Sequence, residues 1–444
     1  MTEISRRSLI VGAGAGAVAA TSFGTFAIAQ GTRAGRVVVI GGGAGGASLA
    51  RALKLGAPAL NVTLLEPNRT YSSSFFSNLY LGGFRTLASL NHNYEGLGRL
   101  GVRVVHQSAV SVDTSRKTVR TSGGQNFPYD KLVVSPGIEV KYDSVPGYSA
   151  AAASSGRAPH AYTTQASGKL QLKLLLERMP NGGTVAMVMP ANPFRCPPGP
   201  YERAAMIAHF LKTNKPKARL VILDPKKAFS KQGVFVEAYN KYYKDILELN
   251  LSTDIDDFSV TAFDARAREI TTKAGKKVKY DVANVIPQQS AGRIALRTGL
   301  AKGDWCPVNP ENFSSALVKD VYVLGDAAIA AEMPKSAFSA NSQAKVAAND
   351  ILAELAKGER FPARFRNTCW SLLAPDDNVK VGANYTAKDG KLEPSGSFVS
   401  KPGEDAATRA QNYQESIGWY SGITADMFAG PASAPAGKKG SKKS

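Results

Sequence analysis

The chain has 444 residues, of which 43% are hydrophobic and 20% charged, and its formal net charge is +20. This composition excludes a disordered or fibrous chain, and the length favours two or three domains with sizeable cores. Beyond the first thirty residues, no apolar stretch of the sequence is long enough for a transmembrane helix.

The N-terminus predicts an export signal. Arg6 and Arg7 precede a Gly- and Ala-rich apolar run that ends in Ala-Ile-Ala at residues 27–29. Twin arginines before such a run are typical of a Tat signal, so we expect residues 1–29 to be removed and the protein to reside in the periplasm. Export argues against nucleic acid as a partner. The positive charge then reflects either a lysine-rich soluble surface or the steering of an acidic redox partner.

A first strand–loop–helix–strand unit opens the predicted mature chain. The strand Arg36–Ile40 runs into a loop with the spacing G-x-G-x-x-G, at Gly41, Gly43 and Gly46, and Glu66 ends the second strand. Glycines let backbone amides approach a pyrophosphate, and the acid can bind a ribose. The unit therefore predicts a dinucleotide site, and its early position favours FAD over NAD by analogy with flavoproteins that have two dinucleotide folds.

A second α/β segment begins at Gly183, with strands at residues 184–189 and 218–223 and a helix at residues 201–212. Where an NAD-binding half would have its glycine loop, residues 190–196 read Pro-Ala-Asn-Pro-Phe-Arg-Cys. Prolines remove amide donors, and the side chains occupy space that a pyrophosphate needs. We therefore predict that NAD(P)H is neither donor nor acceptor.

Two further elements follow towards the C-terminus. A strand at residues 321–324 ends in Gly325 and Asp326, and a helix is predicted at residues 339–356. In two-dinucleotide flavoproteins an aspartate at this position meets the ribityl chain, which again favours FAD. Residues 360–430 are predicted to form a small α/β unit, and the lysine-rich residues 431–444 a disordered tail.

Three cysteines, Cys196, Cys306 and Cys369, allow one disulfide in an oxidising compartment, and their number alone leaves all three pairings open. Cys196 precedes a predicted helix, whose dipole favours a thiolate, and Glu202 lies in the first turns of that helix. Inert buried thiols or a structural bridge are equally consistent with the spacing. The four histidines have no metal-ligand spacing, and the sequence has no C-x-x-C-H motif for covalent haem.

Residues 196–204, 333–336 with 339–343, and 367–369 resemble the signature segments of the flavin subunit of flavocytochrome c sulfide dehydrogenase, and residues 305–308 and 418–420 are also similar. This family is related to the sulfide:quinone reductases. The resemblance covers nearly the whole predicted mature chain and implies a glutathione-reductase-type α/β fold. Its parts would be a discontinuous FAD domain at 30–150 and 290–358, an NAD-like domain at 151–289 and a flavin-covering domain at 359–430.

The resemblance also implies roles for individual residues. Cys196 and Cys369 would form a redox-active disulfide that hydrosulfide attacks, giving a persulfide and a thiolate that passes electrons to FAD. Glu202 would carry a proton or tune the local charge, and Lys335 would face the pyrimidine end of the flavin. Trp419 would pack near the ring. The product would be sulfur or polysulfide, and the electrons would pass to a separate c-type cytochrome.

One residue departs from the family pattern. Many members attach FAD through a cysteine at the position of Ser74, and a serine hydroxyl cannot form that thioether. We therefore predict non-covalent FAD, and loss of the link is expected to lower the flavin potential. Cys306, which the family also has, is interpreted as structural.

Two other functions stay open at this point. A sulfide:quinone-type reductase, or another disulfide-linked flavoenzyme, is the first, although the lysine-rich tail lacks the apolar character expected of a quinone reductase. The second is a flavin subunit that transfers electrons or binds a partner without oxidising sulfide. Ser74 favours that alternative, whereas retention of Cys196 and Cys369 argues against it.

Overall fold

Short apolar strands alternate with helices that carry small residues on their packed faces. The computed structural model describes residues 35–154, 158–254 and 256–431. Within these ranges the strands are, in chain order, β1 (Arg36–Ile40), β2 (Asn61–Leu65), β3 (Thr70–Ser72), β4 (Asn91–Asn93), β5 (Arg103–Val105), β6 (Ala109–Asp113), β7 (Thr118–Thr121), β8 (Asn126–Pro128), β9 (Lys131–Val134), β10 (Ile138–Val140), β11 (Thr184–Val188), β12 (Arg219–Asp224), β13 (Leu247–Leu251), β14 (Val260–Asp264), β15 (Glu269–Thr272), β16 (Lys277–Lys279), β17 (Val282–Val285), β18 (Gln289–Ala291), β19 (Cys306–Pro307), β20 (Val321–Val323), β21 (Ala328–Ile329), β22 (Phe365–Ala374), β23 (Asp377–Lys388) and β24 (Lys391–Val399). The α-helices are α1 (Ala44–Gly56), α2 (Ser77–Gly82), α3 (Glu95–Arg99), α4 (Ala150–Ser154), α5 (Ala166–Arg178), α6 (Gly199–Asn214), α7 (Gln232–Tyr242), α8 (Arg293–Arg297), α9 (Ala337–Ala356) and α10 (Ala406–Phe428).

The first sheet has the strand order β20-β9-β1-β2-β5, and its neighbouring strands are all parallel. Its central strands β1 and β9 are almost continuous runs of Val, Leu and Ile, as expected where both faces of a parallel sheet are covered. Helix α1 packs against α9 and α10. The carboxyl ends of β1 and β20 lead directly into Gly41 and Gly325, so the two predicted cofactor motifs lie at the same edge of the sheet.

The second sheet is also parallel, in the order β13-β12-β11-β17. Alternate side chains of β11 enter different cores. Val185 and Met187 pack with α6, and Ala186 and Val188 pack into the cluster on the opposite face. The strands and helix predicted for this segment begin and end within two residues of the observed ones.

The C-terminal unit is an antiparallel sheet, β22-β23-β24, with α10 packed on β22 and β23. Leu372 and Val379 from this sheet belong to the same apolar cluster as Ile207 of α6, so the unit shares a core with the second sheet. These observations confirm the predicted α/β class with two parallel sheets and a smaller C-terminal unit.

Some sequence-based expectations are not tested by these elements. The domain boundaries stay predictions. The predicted signal at residues 1–29 lies outside the described residues, as does the predicted tail after residue 431. Among the helices that the structure describes, none has both the length and the apolar character required to cross a bilayer.

Candidate flavin and cysteine site

A cavity lies at the edge where β1 and β20 end. Its walls come from segments that are far apart in the sequence: the glycine loop after β1, the segment around α2, the start of α6, the turn after β20, and the C-terminal β22 and α10. Crevices at the carboxyl ends of parallel strands are the usual position of a nucleotide in such sheets. Of the predicted site residues, the cavity is lined by Gly41, Gly43, Glu66, Ser74, Cys196, Glu202, Gly325, Asp326, Cys369 and Trp419.

The three glycines of the loop serve two different purposes. Gly41 has a φ of +97°, and a Cβ atom there would lie 2.2 Å from the carbonyl oxygen of Ser135. A Cβ atom on Gly46 would lie 1.9 Å from the carbonyl oxygen of Gly41. These two glycines are therefore required by the packing of the chain itself. At Gly43 the nearest atom to such a Cβ is 3.9 Å away, so this glycine keeps open space beside the cavity for a ligand.

Two carboxylates mark the positions expected for sugar hydroxyls. Glu66 is fixed by the backbone amides of Gly42 and Asn68, each 2.9 Å from a carboxylate oxygen, and still lines the cavity. Asp326 has a buried Oδ1 atom without a hydrogen-bond partner, and burial raises the pKa of its carboxyl group. Buried acceptors are normally satisfied, so this one fits a ligand hydroxyl. The residues present thus fit a dinucleotide such as FAD.

Cys196 and Cys369 reach the cavity from distant parts of the sequence. Cys196 lies three residues before α6 with a φ of +59°, and its amide donates to the carbonyl of Lys335 at 2.7 Å. Cys369 lies in β22. Burial raises the pKa of both thiols, and the charge of Cys369 raises that of Cys196 further, so the two groups are close enough to interact electrostatically. Both are free thiols in the structure, and the disulfide between them stays a prediction.

Glu202 connects three walls of the cavity. One carboxylate oxygen accepts a hydrogen bond of 2.7 Å from the Asn78 side chain, and the other accepts one of 2.9 Å from the amide of Leu372 in β22. Burial raises the pKa of Glu202, while these two bonds, Lys231 and Arg203 counteract part of that rise. A carboxyl group with a raised pKa retains a proton to higher pH, as proton transfer or charge tuning at the cysteines would require.

Lys231 is a site residue that sequence reasoning missed. It immediately precedes α7, and its Nζ donates to the carbonyl of Cys369 at 3.1 Å, to Ser371 Oγ at 2.8 Å and to the carbonyl of Val379 at 3.4 Å. Burial lowers the pKa of Lys231 to about 8, while Cys369, Glu202 and Cys196 act to raise it. No local pattern in the sequence marks this lysine, because only the packing of α7 on β22 brings it to the cysteine.

Lys335 contacts the turn that carries Asp326. It is not among the residues that line the cavity, and its expected place at the pyrimidine end of the flavin stays a prediction. Its ammonium donates to the carbonyls of Asp326 and Ala328, at 3.0 and 2.6 Å, and lies 3.7 Å from the centre of the Trp305 ring. Burial lowers its pKa to about 8. The ammonium thus stabilises the turn that carries Asp326 through its two hydrogen bonds to the backbone.

The remaining predicted residues have plain surroundings. Trp419 stacks on Phe338 with ring centres 5.9 Å apart and an angle of 2° between the planes. Ser74 donates to the carbonyl of Thr163 at 2.9 Å. Cys306 is buried in the core around the first sheet, where burial raises its pKa to about 11. In the described ranges, no group of three or more His, Cys, Asp or Glu side chains is placed to hold a metal ion.

A second cleft adjoins the site at Cys369. Prolines and the apolar side chains of β23 and β24 form most of its walls, including Phe398 and Val399, which are 43% and 48% exposed. Cys369 lines both this cleft and the large cavity, whereas Cys196 lines the cavity. Cys369 is therefore part of the wall of both spaces.

In the second sheet, the acid at the end of β12 is already hydrogen-bonded within the protein, whereas an NAD-binding half would leave such an acid free to bind the ribose. Asp224, at the end of β12, is fully buried and accepts bonds from Tyr201 Oη at 2.5 Å and Lys226 Nζ at 2.7 Å. The same ammonium donates to the carbonyl of Pro190 at 2.6 Å. These contacts support the prediction that NAD(P)H does not bind in this half, since the carboxylate is already engaged.

Three family models match the chain. Residues 169–287 match "Sulfide dehydrogenase [flavocytochrome c] flavoprotein chain, central". Residues 362–428 match "Flavocytochrome c sulphide dehydrogenase, flavin-binding". Residues 35–178 match "Pyridine nucleotide-disulphide oxidoreductase". Together with the fit of the cavity, these matches identify the cofactor as FAD.

Individual proteins agree with the family matches. The flavoprotein chain of sulfide dehydrogenase [flavocytochrome c] from Chlorobaculum thiosulfatiphilum is 51% identical over 43 residues, which are 10% of this chain and 90% of that sequence. Mouse mitochondrial sulfide:quinone oxidoreductase is 23% identical over 308 residues, and the match spans 65% of each chain. The crystal structure of sulfide:quinone oxidoreductase from Aquifex aeolicus superposes with a TM-score of 0.67 at 17% identity, covering 88% of this chain and 92% of that one. This likeness confirms the predicted glutathione-reductase-type fold.

Proposed function

Because the chain belongs to the family of flavocytochrome c sulfide dehydrogenase flavoprotein chains, we propose that it oxidises sulfide to sulfur or polysulfide with FAD and the Cys196–Cys369 pair. One observation carries the proposal. Two cysteines that are far apart in the sequence line the same cavity as the glycine loop and Asp326. A thiol pair beside a flavin site is the arrangement that disulfide-linked electron transfer requires.

The proposed reaction begins with the pair oxidised to a disulfide. Hydrosulfide attacks one of the two sulfurs, so that a new sulfur–sulfur bond forms as the old one breaks. One cysteine becomes a persulfide, and the other leaves as a thiolate that carries the charge of the incoming ion. FAD supplies a two-electron acceptor when it is bound. Loss of the outer, zero-valent sulfur, as sulfur or as polysulfide with further hydrosulfide, returns the persulfide to a thiol. The disulfide then re-forms as the two cysteines lose one proton and two electrons, which FAD would accept.

The chain controls charge and protons around this exchange. Burial makes a thiolate costly, so charged neighbours decide where it forms. Glu202 is tied to α2 and β22 through both oxygens, and its raised pKa lets it hold the proton that the substrate sulfur loses. Asn78 and the Leu372 amide keep that carboxyl group in place beside the cysteines.

The electron acceptor in this proposal is a c-type cytochrome, and the compartment is the periplasm. The sequence has no C-x-x-C-H motif, so a haem would be carried by a separate chain. The twin arginines at Arg6 and Arg7 support export. A quinone acceptor is the second candidate, because relatives from mouse and Aquifex aeolicus are sulfide:quinone oxidoreductases.

Anaerobic addition of sulfide to the purified FAD-loaded protein tests the proposal. We expect rapid bleaching of the flavin absorbance and a long-wavelength charge-transfer band, followed by reoxidation on addition of a cytochrome c. Cys196→Ser and Cys369→Ser should abolish bleaching while FAD stays bound, and Cys306→Ser is the matched control that should bleach normally. A flavin that sulfide leaves unbleached would refute the proposed activity, and reoxidation by a quinone alone would assign the second acceptor.

The absence of a covalent link is tested separately. Acid precipitation should release FAD into the supernatant, because Ser74 supplies a hydroxyl where a thioether would need a cysteine. Flavin retained in the washed pellet would contradict this part of the proposal and leave sulfide oxidation untouched.

A further inference from the structure

We propose that Lys231 is a positioning residue whose ammonium stabilises Cys369 in its thiolate form. This inference rests on the proposed function, in which one cysteine of the pair carries a negative charge after the disulfide opens. It concerns a residue that none of the sequence motifs contains.

The Lys231 ammonium is buried among neutral acceptors. The side chain belongs to a residue that is 8% exposed, and its three hydrogen bonds go to two carbonyls and one hydroxyl, on β22 and β23. Among the ion pairs of the described residues, none within 4.0 Å involves Lys231. Burying a cation without a counter-charge lowers the stability of the folded protein, which favours a functional role for this lysine over a purely structural one.

The groups that face this ammonium are the acids of the site. From β22 comes the Cys369 thiol, from the start of α6 come Cys196 and Glu202, and all three favour its charged form. The effect is mutual, since Lys231 lowers the pKa of Cys369 and is the first influence to oppose burial there. At Cys196 both Arg195 and Lys231 oppose the raised pKa, and Arg195 does so more strongly than Lys231. The ammonium is thus directed at Cys369.

Neutral neighbours complete the environment of Cys369. The Asn367 side chain and Ser336 also lower the pKa of its thiol by hydrogen bonding, but neither carries a charge. The charge of the Glu202 carboxyl group raises that pKa. Lys231 is therefore the positive charge that compensates a thiolate at this position.

The exchange step requires such compensation. Hydrosulfide brings one negative charge into the site. When it opens the disulfide, that single charge is transferred to the displaced cysteine sulfur, so the net charge of the site stays the same during the step. A thiolate in a buried site is stabilised by a nearby cation, which also makes it a better leaving group. With Lys231 beside Cys369, the displaced charge settles on Cys369, and the persulfide forms on Cys196.

The test measures the acidity of Cys369 directly. In FAD-loaded protein with Cys196→Ser and Cys306→Ala, Cys369 is the remaining cysteine, and its alkylation by iodoacetamide is followed by mass spectrometry as a function of pH. Adding Lys231→Gln removes the charge and keeps a hydrogen-bond donor. We expect the apparent pKa of Cys369 to rise by at least one unit, which corresponds to about tenfold slower alkylation at neutral pH. Lys231→Arg should restore the original profile.

Lys169→Met is the matched control. Lys169 is another buried lysine bound to three neutral acceptors, the carbonyls of Ser72, Thr163 and Gln165, and no cysteine influences its pKa. Its removal should leave the Cys369 profile unchanged. If adding Lys231→Gln leaves the pH dependence of Cys369 alkylation the same as in the Cys196→Ser, Cys306→Ala protein, the inference is wrong.

A second measurement covers a Lys231 variant that does not fold. Linkage is reciprocal, so Cys369→Ser should lower the pKa of Lys231 and increase its acetylation at fixed pH several-fold. Unchanged acetylation would overturn the inference. Neither readout needs sulfide, so a protein that shows the shifts but never bleaches would retain the role of Lys231 and lose the proposed function.

Discussion

Gly43→Ala separates the two purposes of the glycine loop. A methyl group at this position meets no protein atom closer than 3.9 Å, and the backbone angles of −80° and −165° are accessible to alanine. Gly43 is the N-cap of α1, where alanine is less favourable than glycine by about 0.5–1 kcal/mol. Alanine also restricts the unfolded chain more than glycine does, which stabilises the folded protein by about 0.4–1 kcal/mol. The free energy of unfolding of the apoprotein should therefore change by less than about 1 kcal/mol.

FAD binding should respond differently. The methyl group would enter the open space beside the cavity, so we expect at least tenfold weaker binding, or about 1.4 kcal/mol. Titration of the apoprotein with FAD, followed by flavin fluorescence, measures the change, and urea unfolding measures stability. Gly46→Ala is the contrasting variant. Its Cβ atom would lie 1.9 Å from the Gly41 carbonyl oxygen, so the fold itself should lose about 1–3 kcal/mol. Gly43→Ala protein that binds FAD as tightly as the wild type would refute this reading of the loop.

Three further changes test single features. Asp326→Ala should stabilise the apoprotein by about 1–2 kcal/mol in urea unfolding, because it removes a buried carboxylate oxygen without a partner. The same substitution should weaken FAD binding. A variant that is less stable than the wild type, or that binds FAD more tightly, would contradict this prediction. Cys306→Ala should cost about 1 kcal/mol in urea unfolding and leave the sulfide-induced bleaching rate intact, so a slower rate would assign Cys306 to the reaction. Lys169 has its pKa lowered by burial from 10.5 to about 7, so its contribution to stability is present above pH 10.5 and is lost as the pH falls through about 7. The unfolding free energy of the wild type, relative to Lys169→Met, should rise between these two values, and a constant difference would argue against this assignment.

The sequence predicted the parts of the site that local patterns encode. The loop at Gly41, the acid at Glu66 and the turn at Gly325 each follow a short apolar strand, so consecutive residues suffice to predict these local structures. All three line the same cavity, and their contacts with a ligand stay predictions. The resemblance to a known family added Cys196 and Cys369, which spacing alone left unpaired. Both residues line the cavity.

The parts that sequence reasoning missed depend on tertiary contacts. Lys231 reaches Cys369 because α7 packs on β22, and nothing in the residues around Lys231 indicates that contact. Lys335 was singled out by the family segment that contains it. The contacts of its ammonium, with two carbonyls and an aromatic ring, depend on tertiary structure that this segment does not encode.

The apolar cluster that α6 shares with β22 and β23 limits how far this protein can be shortened. A fragment that stops before β22 would leave Ile207 and its neighbours on α6 facing water, and it would carry only one of the two sulfurs. A fragment that begins after α6 would lack the other. Expression of either fragment alone should therefore yield an insoluble chain, because each would expose part of the apolar cluster that the other covers.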